Sequence, residues 1–499
     1  MRSFRLFSSI LLILMLSLAS MQIDADPEMN IQSQENTFTV CDEIQGVPYV
    51  WQEVNGFCFP SALSMVLQSM GLSLSLYDIL AASGSGFSIV SASFDETMMI
   101  YPGVMVRQMP WFEFFTDLYG LEMQFYLDSG TDYGLSTIQI LQSWGSKFID
   151  YNNSLSLSPL EVMKESIDSG YPLAISVDTY YLPPHDWDVV RQYIGPIQPG
   201  GVGHAIVIVG YNDTTHQVQV HDPGVGLLQP NYGYPDDGRW YYNMTYATLD
   251  LAWGGCGYAT FRVSNGTGPV ADFEDRLASY IAQKLIGNRS EYFEGYENFF
   301  YLSAGAGAFR GMGLDMNPES IRDYCTYFLE INKPTAIRML GHNLEAMMTM
   351  QYLAYRSSLD SLPDLLPTIN LQAFFDEATN ALPHMEVLSH NASITSGINI
   401  ESRDSLLYNT FFGMADSFEV SQDLDYSINE FSGELEEIST HFSAIADAWK
   451  LAGEALSQEL VGSGGLPDSN LVVVIGGGAT ILIIGVILVV WRRKPNQDR

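Results

Sequence analysis

"HAIVIVGYNDTTHQVQVHDP", residues 204–223, holds two β-branched runs on either side of the turn-forming residues 212–216. That pattern predicts an antiparallel hairpin, with strands over 204–211 and 217–223. In such a hairpin the start of the first strand lies beside the end of the second. Register therefore brings His204 and Asp222 to the same end of the pair. His204 follows the turn-rich "GPIQPGGVGH" (195–204), so it can reach across a cleft, whereas a strand-centre histidine would point into a packed face. Asp222 precedes Pro223, and a plain turn residue is the alternative for it. Alternation sends His221 to the opposite face.

Outward from the hairpin, "PLAISVD" (172–178) reads as a further strand. "PSALSMVLQSMG" (60–71) has apolar residues at 62, 63, 66, 67 and 70, the spacing of a helix with one buried face. Helices are also expected over 104–119 and 158–169. Helices followed by antiparallel strands make residues 40–264 an α+β domain. Beyond about residue 268 the pattern becomes mainly helical, over 272–285, 318–330, 333–357, 371–381, 402–418 and 423–456. A second, helical domain is expected over 268–458, with 459–470 as a linker.

Cys58 opens the first helix. The helix dipole favours a thiolate over a thiol at that position, and Asn55 and Gly56 supply a turn that presents the side chain. A packed thiol and a disulfide partner of Cys41 are the alternatives. A thiol nucleophile needs a base and an orienter, roles that suit His204 and Asp222. Gln52, six residues upstream, can add an amide donor for a developing oxyanion. Asp178 ends a strand and either lines the cleft or caps the next turn. Cys41 and Cys256 lie near the ends of the first domain, where a bond between them would staple it. Four cysteines with no C-x-x-C pair do not make a disulfide scaffold. Rossmann, P-loop, H-E-x-x-H and EF-hand signatures are absent, so no cofactor is expected.

The two ends carry targeting patterns. Arg2 and Arg5, the apolar run 11–18 and the small Ala19 and Ser20 read as a signal peptide over 1–22. Residues 471–491 hold no charge and are followed by Arg492, Arg493 and Lys494. Such a stretch is long enough to span a bilayer with its basic tail, 492–499, in the cytoplasm. A single-pass cell-membrane protein with an external catalytic part is the expectation. N-x-S/T triplets at Asn152, Asn212, Asn243, Asn265, Asn288 and Asn391 are glycosylation candidates in that setting. Acidic residues outnumber basic ones by 58 to 22, a formal charge of −36. That field disfavours nucleic acid as a partner and favours neutral or cationic substrates.

The Gln52–Cys58 spacing with "CFPSALSMVL", followed by "GHAIVIVGYND" (203–213) and "VHDP" (220–223), resembles the C39-like branch of the papain-fold cysteine enzymes. The resemblance implies Cys58 as nucleophile, His204 as base, Asp222 as orienter and Gln52 in the oxyanion hole. Phe59 stands where that family usually has glycine. "VDTYYLPPH" (177–185) further resembles the N-terminal domain of the butirosin biosynthesis protein H family, with Tyr181 a cleft candidate. The helical half is similar to the second domain of that family. One resemblance implies cleavage of a peptide or amide bond, the other acyl transfer to an amine. A non-catalytic surface binding module is the remaining class.

Overall fold

The computed structural model describes residues 42–54, 56–94, 97–104, 109–143, 146–155, 157–182, 203–226, 233–287, 289–291, 301–327, 333–389 and 405–462. The segments read as signal peptide and membrane span, together with Cys41, Asn55, Asn288 and Asn391, lie outside these residues. Among the described residues no helix is long and apolar enough to cross a membrane.

Among the described residues twelve strands run in chain order as β1 (Asp42–Glu43), β2 (Ile89–Phe94), β3 (Thr97–Pro102), β4 (Glu122–Leu127), β5 (Ile149–Asp150) and β6 (Leu173–Asp178), then β7 (Gly203–Asn212), β8 (Gln217–His221), β9 (Tyr241–Thr245), β10 (Thr260–Ser264), β11 (Arg289–Glu291) and β12 (Tyr301–Ala304). The larger sheet has the order β5-β4-β10-β6-β7-β8-β9, and β1 also pairs with β7. Strands β7 and β8 form an antiparallel hairpin, Ile208 facing Val220 and Gly210 facing Gln219, with a bulge between them. Its loop is closed by Asn212, whose Oδ1 accepts from the backbone N–H of Thr214 and Thr215 at 2.8 and 3.1 Å. Side chains of a buried sheet alternate between two cores. Ile206, Ile208, Val218 and Val220 join Met244 and Trp253 on one face. Ala205, Val207 and Val209 meet Ala62, Val66 and Leu67 of the helix Cys58–Ser69 on the other.

The regions on the two sides of residue 268 share structure. A smaller sheet runs β11-β12-β2-β3, pairing strands of the mainly helical region with strands of the first. The core beneath the Cys58 helix continues without a break into Leu340, Phe411, Phe442 and Trp449. That region is otherwise built on two long helices, Lys333–Leu365 and Ser432–Gly462. Pro334 is the second residue of the first of these, where its missing N–H costs nothing.

Candidate active site

The helix Cys58–Ser69 begins at Cys58, so the positive end of its dipole falls on the thiol. Gly56, at φ +94°, makes the turn into it, a conformation that only glycine adopts freely. Phe57 is buried and Cys58 half-buried, so the chain anchors one side chain in the core and presents the next. Phe59 turns its ring inward, 4.5 Å from the ring of Phe261 and 5.4 Å from that of Phe112. Core packing accommodates the bulk that replaces glycine.

His204 is the second residue of β7, buried at 5 % exposure. Its Nε2 lies 2.7 Å from Oδ1 of Asp222, which is fully buried. Val207 faces His221 in the hairpin, so Asp222 stands opposite Ile206, one diagonal step from His204 and on the same face. The His204 side chain also hydrogen-bonds that of Cys58. With Nε2 on Asp222, the ring nitrogen left for sulfur is Nδ1. Burial opposes charge on the imidazole, but the Asp222 carboxylate and Cys58 favour the imidazolium. The net effect raises His204 from its ordinary value to about 10.

Both oxygens of Asp222 are held. Oδ1 accepts the Gly224 N–H at 2.8 Å, and Oδ2 accepts the Tyr242 hydroxyl at 3.0 Å. The Asp222 carbonyl accepts the Tyr49 hydroxyl at 3.0 Å, and its N–H donates to the Trp240 carbonyl at 2.9 Å. A carboxylate so fixed acts as an acceptor aimed at the histidine. Tyr242 and Tyr49 were not singled out in the sequence. The available signal was pattern: Tyr242 faces Val220 across β8/β9, so it shares the face of Asp222 two residues further on.

Gln52 is buried, and its backbone N–H donates to the Pro223 carbonyl at 3.0 Å, which ties it to the Asp222 loop. Its Nε2 donates to Val54 O at 3.0 Å, while Oε1 has no partner. An amide nitrogen carries two hydrogens, so one bond does not exhaust it. Asp178 is buried at the end of β6, beside Gly203 of β7, and accepts the Tyr180 N–H at 3.0 Å. It caps the turn Thr179–Tyr181, in which the Tyr181 ring meets Tyr180 edge-on at 5.1 Å. Cys256 is buried. Asn152 and Asn265 are exposed and Asn243 is half-buried. Asn212 is 3 % exposed with its Oδ1 engaged in the hairpin loop, a position with no room for a glycan. Among the described residues no three His, Cys, Asp or Glu side chains group as a metal site.

A family model described as the Peptidase_C39 like family matches residues 44–242. The matched span contains Gln52, Cys58, His204, Asp222 and Tyr242, and it supports a C39-like papain-fold family with cysteine-hydrolase-like activity. No curated protein matches the chain.

Proposed function

We propose that the protein is a thiol enzyme that cleaves a peptide or amide bond through an acyl-enzyme on Cys58. The observation that carries this reading is the unbroken chain from the Cys58 side chain through His204 to Asp222. The thiolate attacks the carbonyl carbon, and the helix entrance with Gln52 holds the oxyanion. The His204 imidazolium then gives its proton to the leaving amine. In the second half His204 takes a proton from water, which displaces the thiolate. The charge balance of the chain favours cationic or neutral substrates. The patterns at the two ends support an enzyme held in the cell membrane by residues 471–491, with its catalytic part outside.

Acyl transfer to an amine is the second reading. It is favoured by Asp178, Tyr180 and Tyr181, which begin the D-x-Y-Y-L-P segment next to the start of β7. The two readings share the acyl-enzyme and differ in what resolves it.

The test is iodoacetamide labelling of the full chain from pH 5 to 9, with the modified cysteine mapped by mass spectrometry. Rapid labelling of Cys58 below pH 7, slowed at least tenfold in His204→Ala, is the expected result. Equal rates in the two proteins would remove the thiolate–imidazolium pair. Release of acyl groups in water alone, compared with release after addition of an amine, separates hydrolysis from transfer.

A further inference from the structure

The face of β8 and β9 turned away from Asp222 carries a row of polar side chains that the mechanism does not use. Glu43 faces Gly210 across β1/β7, Gly210 faces Gln219 across β7/β8, and Gln219 faces Asn243 across β8/β9. Gly210 has no side chain, so Glu43 reaches over it and its Oε1 accepts Gln219 Nε2 at 2.9 Å. A carboxylate only accepts, and this fixes the Gln219 amide with Oε1 turned the other way. That oxygen is buried without a partner, as are Asn243 Oδ1 and His221 Nδ1. His221 stands two residues along β8 from Gln219, on the same face, opposite Tyr241.

Gln219 is fully buried and His221 is 6 % exposed. Buried polar atoms without partners are rare and call for an explanation. Here three of them share one row with a carboxylate, walled by aromatic rings. The His221 ring lies 4.8 Å from that of Trp240 and 5.8 Å from that of Tyr241. The Glu43 charge also acts on Tyr241, helping burial to hold its hydroxyl above its ordinary range. Among the described residues strand β9 ends the larger sheet, and the row reaches that edge at Tyr241, which is 36 % exposed.

We infer that this row is a binding site for an organic cation rich in N–H donors, a guanidinium or primary ammonium group on a substrate or partner. The fit is chemical. Gln219 and Asn243 offer carbonyl oxygens and Glu43 a full negative charge. The Tyr241 ring, exposed at the sheet edge, supplies the negative quadrupole that attracts cations, while Trp240 backs it, stacked on Tyr49 at 4.4 Å. Burial pushes the His221 imidazole down to about 4, so at neutral pH it is uncharged and does not repel the ligand. A metal ion is a poorer match, since among the described residues no three His, Cys, Asp or Glu side chains group there. The row lies on the sheet face opposite Asp222, the face whose Val207 the Cys58 helix covers, and binding there does not require Cys58 to react.

Isothermal titration of the full chain with N-acetyl-arginine amide and N-acetyl-lysine amide tests the inference, with the neutral N-acetyl-citrulline amide as control. Saturable binding of one or both cations, with no binding of the citrulline derivative, is expected. The stronger of the two ligands tells guanidinium from ammonium. Glu43→Gln, on a half-buried side chain, is expected to weaken binding at least tenfold while leaving the rate of Cys58 alkylation unchanged. Gln219→Met is expected to weaken it as well. No saturable binding by the wild type, equal binding of the citrulline derivative, or undiminished binding in Glu43→Gln would each overturn the assignment.

Discussion

Asp222 decides the site through three separate constraints. Its Oδ1 meets His204 and the Gly224 N–H, its Oδ2 meets Tyr242, and its backbone meets Trp240 and Tyr49. Tyr242 is half-buried with its hydroxyl desolvated beside the carboxylate, and both circumstances hold that hydroxyl well above the ordinary phenol range. It therefore remains a donor throughout the working pH range. A hydrogen bond to a buried charge is worth roughly 1.5–3 kcal/mol. Tyr242→Phe is accordingly expected to slow acyl-enzyme formation on the order of tenfold. The measurement is the rate of Cys58 acylation at pH 7, and an unchanged rate would show that Gly224 alone orients the carboxylate. The raised His204 value carries a stability signature of opposite sign to a salt-bridged carboxylate. A group whose folded value lies above its unfolded one stabilises fully below the unfolded value, near 6.5, and loses that contribution as pH rises through about 10. The difference in urea midpoint between wild type and His204→Gln should therefore shrink from pH 6.5 to pH 10.5. A constant difference would mean that His204 folds uncharged.

Close approach rather than charge governs the elements of the helical region. The helix Lys333–Leu365 packs on the helix Leu406–Ser421, and a Cβ on Gly341 would lie 2.4 Å from Phe411 Cβ. Helix propensity alone favours alanine over glycine by about 1 kcal/mol. Overpacking costs about 1–3 kcal/mol, and a contact to the root of a ring cannot relax by rotation. Gly341→Ala is therefore expected to lower the thermal midpoint. Gly433→Ala, where a Cβ meets nothing within 4 Å, is expected to raise it slightly. Calorimetry of the two variants checks both signs. These elements also mark how far the sequence could be read. The β7/β8 hairpin was legible because two runs of alternating and β-branched residues flank five turn formers, and His204 and Asp222 came with it. The helix from Cys58 was legible from its apolar spacing. The pairing of β2 with β12 was not, because the two lie some 200 residues apart and no local pattern encodes a pairing at that separation. The row Glu43–Gly210–Gln219–Asn243 was hidden for the same reason, since its members come from four strands and only one adjacent pair is a hairpin.

At the scale of the molecule, the change of pattern near residue 268 marks a change of secondary structure, while cohesion continues across it. Strands β12 and β2 pair from Tyr301 opposite Ser93 to Ala304 opposite Val90. Gln351, fully buried in the long helix, donates from Nε2 to the Gly86 carbonyl at 2.8 Å and accepts the Gly103 N–H at 3.3 Å. Gly86 itself admits no side chain, because a Cβ there would fall 1.9 Å from Ser358 Oγ. A buried backbone carbonyl left without a donor costs about 1–3 kcal/mol, so Gln351→Leu is expected to destabilise the Cys58 region although Gln351 belongs to the helical one. The two regions are therefore expected to unfold together. A single calorimetric transition, with the loss of Cys58 labelling selectivity following the loss of helical ellipticity, is the expected result for the whole chain. A chain cut at residue 268 leaves β2 without β12 and exposes the apolar face of Leu76–Ala82 that the helix Lys333–Leu365 covers, so it should not give a soluble, labelling-competent protein. Two resolved transitions, or a cut fragment that labels Cys58 at the native rate, would make the helical region an appendage. The site geometry would then be set by residues 42–264 alone.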